Sequence, residues 1–231
     1  MSSTQLITDA APAAARKGAG TTSLLRKAPY LLLAAPLLWV APALLHPMGD
    51  PYAGIADETD RWLFVHISQL LLAPFLGALV WMLLTGLESI AARVARAALV
   101  AWLVFFSAFD AVAGIATGVL SRHANSLAGE EREGFASAID FLFDDSQLVG
   151  GGFSVLGNLG HGSWMVLAIA AAVALHKARA PRPAVIAMSL ATLFAAHSGI
   201  PAVIGLVALF VAGRLILRWR SAGASPSPAV G

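Results

Sequence analysis

The chain has 231 residues, 58% of them hydrophobic and only 12% charged, with a formal net charge of +2 and a mean hydropathy of +0.76. That balance excludes an ordinary water-soluble domain, and basic residues scattered at segment ends leave no footprint for nucleic acid. With no cysteine there are no disulfides, thiolate nucleophiles, thiolate metal sites or iron–sulfur clusters, so any metal would rest on His, carboxylate or carbonyl donors.

Residues 1–28 are rich in Ala, Ser, Thr and Gly around Arg16, Lys17, Arg26 and Lys27, which predicts a disordered cytoplasmic tail. The apolar run 29–45 is just long enough, at about 1.5 Å per residue, to cross a bilayer. Lys27, this run and Ala41-Pro-Ala43 loosely resemble a cleavable leader; the long basic stretch ahead of it and the internal Pro36 argue for a retained helix. His46 to Arg61, with Asp50, Asp57, Glu58, Asp60 and two X-Pro pairs, reads as a loop.

The second predicted span is 62–87, with Trp62 and Trp81 towards its ends at headgroup level. A basic turn with Arg93 and Arg96 leads to the third span, 97–120. There Gly114 and Gly118 form the small-xxx-small spacing that lets helix backbones approach closely. The polar segment 121–147 follows, with Ser126 as an N-cap before Glu130 and Glu131. Phe135, Ile139 and Leu142 recur at helical spacing, predicting a surface amphipathic helix. Its Asp140, Asp144 and Asp145 read as a solvated acidic edge. The fourth span, 148–176, has a glycine-rich start, with Gly157 and Gly160 as helix-packing candidates. The tract after Arg182 is too long for one crossing and is interrupted by His197-Ser-Gly-Ile-Pro201. It therefore divides into spans 183–197 and 200–217, leaving 218–231 as a disordered tail.

Charge asymmetry tests the count. With six crossings and both termini inside, Arg93, Arg96, Lys177, Arg179, Arg182, Arg214, Arg218 and Arg220 join the basic N-terminal tail on the cytoplasmic side, while Arg61, Arg122 and Arg132 fall outside. Nearly all the acidic residues take the outer side. The expectation is an all-α polytopic transmembrane bundle, residues 29–217, with six helices and both ends in the cytoplasm.

Asp110 falls near the middle of the third span, where a carboxylate costs about 2.5–3.5 kcal/mol on insertion scales and faces a partner or a watered cavity. His161, flanked by Asn158 and Ser163, reaches a similar depth and is the expected partner. His46, His66 and His197 fall near the outer ends of three other spans, His66 accompanied by Ser68 and Gln69. The five residues predict an outward-facing polar cavity able to bind or relay a small solute, proton or metal ion, or structural glue between helices. As metal ligands, His66 and His161 are the candidates, including for a haem; no pair has the i, i+4 spacing of a metal-binding helix. Neither GxGxxG, a glycine–lysine phosphate loop, HExxH nor GxSxG occurs, so enzyme status, substrate and cofactor stay open. An accessory subunit or homo-oligomer packing through its glycines is a third reading.

The segments LHPMGD, WLFVHISQLLLAPF, FDAVAGIATGVL and GNLGHGSW are similar to bacterial multi-pass membrane proteins with no assigned activity, over residues 30–217. The resemblance implies six helices in the bacterial cell membrane and brings no activity with it.

Overall fold

The computed structural model describes residues 30–48, 51–145, 147–151 and 154–223. The tail expected over 1–28 lies outside them, as do residues 224–231 of the tail expected over 218–231. The described residues are helical throughout their regular structure. Four helices are long and apolar enough to cross a membrane: α2 (Tyr52–Leu84), α3 (Ile90–Ala124), α5 (Val155–Lys177) and α7 (Gly199–Ser221). Two apolar helices are shorter, α1 (Tyr30–Leu45) and α6 (Arg182–Ala196). The polar helix α4 (Gly129–Asp140) connects α3 to α5.

The apolar helices close a ring in which α1 packs on α2, α2 on α3, α3 on α5, α5 on α6, α6 on α7 and α7 back on α1. Its centre is an aromatic cluster. Trp164 stands edge-on to Trp102 and Phe194, with ring centres 4.9 and 4.8 Å away, and Phe194 stands edge-on to Trp39 at 5.1 Å. Trp164 Nε1 donates to Ala191 O at 2.8 Å, which satisfies its one polar atom. Outside, Leu38, Phe64, Leu71, Phe75, Val104, Ile169 and Ile204 are exposed. Such an apolar exterior, on helices long enough to cross a bilayer, suggests a membrane protein.

Several boundaries differ from the sequence reading for local reasons. Helix α2 begins well before residue 62, because Asp57, Glu58 and Asp60 lie in its first turns, where the helix dipole favours carboxylates. Asp140 also accepts from Tyr52 N at 3.0 Å, so it anchors this start instead of standing as part of a free acidic edge. Arg93 and Arg96 belong to α3 and not to a turn, since Ser89 caps the helix by accepting from Ala92 N at 3.2 Å. Ser126 is not the cap of α4: its hydroxyl donates to His123 O, and Ala128 occupies the N-cap without a side-chain bond. Helix α5 starts at Val155, where Ser154 accepts from Gly157 N at 3.1 Å, so Gly150 and Gly151 lie in bends ahead of the helix. The reversal expected at His197–Pro201 is present. Helix α6 tightens into a 3₁₀ segment, Ala191–Ala196, and His197 and Gly199 take positive φ of 44° and 69° before α7 begins.

Candidate functional site

The site is assembled where the ends of α1 and α6 meet the N-terminal part of α2 and the middle of α3. Trp62, His66 and Gln69 share one face of α2 by their three- and four-residue spacing. Opposite them, α3 departs from α-helical geometry over Asp110–Ala116, which is π-helical. A π segment re-aims side chains and is frequent at functional sites. Here it begins at the carboxylate itself. The close approach of α2 and α3 depends on Gly114 and Gly118. A Cβ on Gly114 would fall 2.3 Å from His66 Nδ1, and one on Gly118 would fall 2.7 Å from Leu63. Gly160 serves α5 in the same way, its missing Cβ lying 3.3 Å from the Phe106 backbone, and Gly157 is buried. The two α3 glycines and Gly160 therefore make close contacts inside the chain.

Asp110 is hydrogen-bonded to His66, Oδ1 to Nδ1 at 2.7 Å, with both side chains almost fully buried. The partner expected from the sequence was His161; the structure puts His66 there, because α2, drawn in by Gly114, reaches Asp110 first. The bond consumes one atom of each group. His66 Nε2 and Asp110 Oδ2 are buried without a hydrogen-bond partner, the kind of orphan that native interiors keep scarce. Trp62 packs on the His66 ring at 4.4 Å and donates from Nε1 to Gly114 O at 2.6 Å. It is therefore a buried wall of the site and not the headgroup anchor expected of it.

From His66 the imidazoles continue in a row. His46 is edge-on to His66 with ring centres 5.0 Å apart, His197 is edge-on to His46 at 5.2 Å, and His161 stacks on His197 at 5.0 Å with the planes only 10° apart. Histidines from four separate segments, α1, α2, α5 and the α6–α7 turn, are thus brought together as the sequence reading expected. His46 Nδ1 bonds to Pro47 O at 2.7 Å. Burial, reinforced by the nearby His66, pushes the His46 imidazole down to about 4, so it is neutral at physiological pH. His197 is held in the left-handed region, which is uncommon for a non-glycine residue though histidine is among those enriched there. Gln69 Nε2 reaches its carbonyl at 3.5 Å.

These groups surround a cavity of about 190 Å³ lined by His46, Trp62, His66, Phe109, Phe143 and His197, among others. His161 backs the His197 ring instead of lining the cavity. Below, Phe106 and Phe109 meet the His197 ring at 6.4 and 6.0 Å, joining the site to the aromatic cluster. Trp62, Phe109 and Phe143 were not singled out by sequence reasoning as site residues. The four-residue spacing of Trp62 from His66 is the one signal that could have found the first. Among the described residues no group of three His, Asp or Glu side chains is already set to hold a metal ion. In comparisons with protein-family models, curated proteins and solved structures, nothing matches the chain.

Proposed function

We propose that this is an integral membrane protein of six crossings with both ends in the cytoplasm, and that it binds a small solute or ion in the histidine-lined cavity on its outer side. The observation that carries the reading is the buried His66–Asp110 pair, each partner with one unsatisfied atom, beside a row of three further imidazoles. An ionisable pair among apolar helices is expensive, and such residues mark binding sites and ion paths far more often than they add stability.

Size and closure narrow the occupant. Pockets for drug-sized ligands run to about 300–1,000 Å³, so a cavity of about 190 Å³ favours an ion or a molecule of a few atoms over a haem. The aromatic cluster of Trp39, Trp102, Phe106, Trp164 and Phe194 fills the bundle beneath the imidazoles. This favours binding from one side over passage through the centre. Charge supports the orientation: Arg96 and Arg220 both bond carbonyls at the far end of α2, whereas Asp60 and Arg122 pair at its cavity end, close to acidic α4.

Two measurements test this reading. The chain contains no cysteine, so single replacements label without background. In intact cells an impermeant maleimide should reach Glu130→Cys, and should reach Lys177→Cys only after lysis; the reverse pattern would overturn the orientation. For the cavity, a thermal-shift screen of purified protein against metal ions, small amines and small anions should find stabilising compounds whose effect vanishes in His66→Ala. Stabilisation that survives this variant would place binding elsewhere.

A further inference from the structure

We propose that the outer cavity binds a small primary ammonium group, as the ammonium ion or a short alkylammonium, held between His46 and His66; the proposal rests on the cavity reading above and names the class of its ligand. A carbonyl oxygen accepts and cannot donate, so the 2.7 Å contact between His46 Nδ1 and Pro47 O puts the ring proton on Nδ1. In the neutral ring this leaves a lone pair on Nε2. His66 Nδ1 likewise faces Oδ1 of the Asp110 carboxylate at 2.7 Å, which leaves its Nε2 as a second acceptor. Both Nε2 atoms are buried without a hydrogen-bond partner, and both rings line the cavity with centres 5.0 Å apart. Two donors in the same lining are spent elsewhere, Trp62 Nε1 on Gly114 O and Ser198 Oγ on Ala196 O. Two adjacent bare acceptors call for an occupant that donates at least two hydrogen bonds.

Charge and shape select a cation among such donors. The Asp110 carboxylate stands directly behind His66, so a positive group at Nε2 makes a charge-assisted bond to a ring already polarised from the other side. Trp62, Phe109 and Phe143 supply aromatic walls to the cavity, and ring faces attract cations. A transition-metal ion needs three or four donors converging at about 2 Å. An ammonium group needs only two acceptors at hydrogen-bond distance with ring faces around it, which agrees with imidazoles in a row and with the lack of a three-donor group among the described residues. Two N–H···N bonds of about 3 Å from one tetrahedral nitrogen span acceptors about 4.7 Å apart, within reach of ring nitrogens on neighbours 5.0 Å between centres. A volume of about 190 Å³ admits a chain of a few carbons and excludes bulky amines.

The experiment uses the full chain without a polyhistidine tag, purified in mild detergent at pH 7, and calorimetric titration with the chlorides of ammonium, methylammonium and ethylammonium. Potassium, tetramethylammonium and neutral acetamide are the comparisons, all at one ionic strength. The primary ammonium ions should bind saturably at one per chain, while potassium and tetramethylammonium, which carry charge without N–H donors, and acetamide, which donates without charge, should bind at least about tenfold more weakly. Binding should vanish in His66→Ala and in His46→Ala, the second of which leaves the His66–Asp110 bond in place and serves if the first does not fold. Asp110→Asn should weaken it about tenfold or more, and His176→Ala should change nothing. Monodisperse elution checks that each variant is folded. Equal binding of potassium, tetramethylammonium or acetamide, or ammonium binding that survives in folded His66→Ala and His46→Ala, overturns the ammonium site. If small anions or metal ions stabilise the protein through His66 while ammonium does not, the ammonium assignment alone falls. If nothing binds through His66, the cavity reading falls with it.

Discussion

The tightest test of how the site is built is Gly114→Ala set against Gly134→Ala. At Gly114 the added methyl would lie 2.3 Å from His66 Nδ1, 2.4 Å from its Cγ and 2.9 Å from its Cβ. Because Cβ is among the clashing atoms, turning the ring cannot relieve the contact, and α2 must move away from α3. Forcing such volume into a packed interior costs about 1–3 kcal/mol. Separating the helices also strains the His66–Asp110 bond, and stranding buried polar groups adds about 1–3 kcal/mol. Replacing a helical glycine returns about 0.5–1 kcal/mol, leaving a net loss of about 1–5 kcal/mol. At Gly134, on exposed α4, nothing lies within 4 Å of the same methyl, so only the favourable backbone effect operates and the variant should gain. Unfolding followed by tryptophan fluorescence in mild detergent reads both, with Trp62 adjacent to the change. Equal stability of Gly114→Ala and the parent, or shifts of the same sign in both variants, would refute the close helix approach on which the site depends.

Other expectations concern single bonds. Asp110→Ala should destabilise by about 1–3 kcal/mol, since it strands His66 Nδ1, while Asp110→Asn keeps an acceptor and should lose less; equal losses in unfolding experiments would remove the hydrogen bond as the cause. Arg220 donates to Met82, Leu83 and Thr85 carbonyls at 3.0, 2.8 and 2.8 Å. Arg220→Ala should therefore cost about 1.5 kcal/mol, the lower end for charged donors because the group is partly wetted. Lysine should restore little of this, because its ammonium cannot reproduce the fork; faster hydrogen exchange around residues 82–87 checks the location. Trp164→Phe keeps most of the ring volume but leaves Ala191 O without its indole donor. A loss of about 1 kcal/mol in detergent unfolding is expected, and no loss would show the bond to be dispensable.

Long-period features were the legible ones. Apolar run length and the His197–Pro201 interruption gave six apolar helices and the α6–α7 reversal, because they depend only on local composition and on residues that tolerate a positive φ. The polar residues that gather in the cavity were also visible, since Asp110, His46, His66 and His197 are conspicuous in apolar sequence. Pairing was not. Whether Asp110 meets His66 or His161 is decided by which neighbouring helix comes closest, and that follows from glycines whose effect appears only once α2 and α3 are docked. Helix starts were misplaced where the deciding signal was one capping hydroxyl, as at Ser89 and Ser154, or a long-range contact, as between Tyr52 and Asp140.

The π-helical stretch Asp110–Ala116 amounts to one surplus residue stored within an otherwise regular rod. Relative to an uninterrupted α-helix, everything from Thr117 onward is swung by one position, about 100°. That swing lets a single helix present Trp102 and Phe106 to the aromatic centre and still turn Thr117, Gly118 and Ser121 inward at its far end. Deleting one residue within the stretch would leave both halves helical while exchanging which side of the upper half faces its neighbours. Register, as much as residue identity, thus sets what this carboxylate meets.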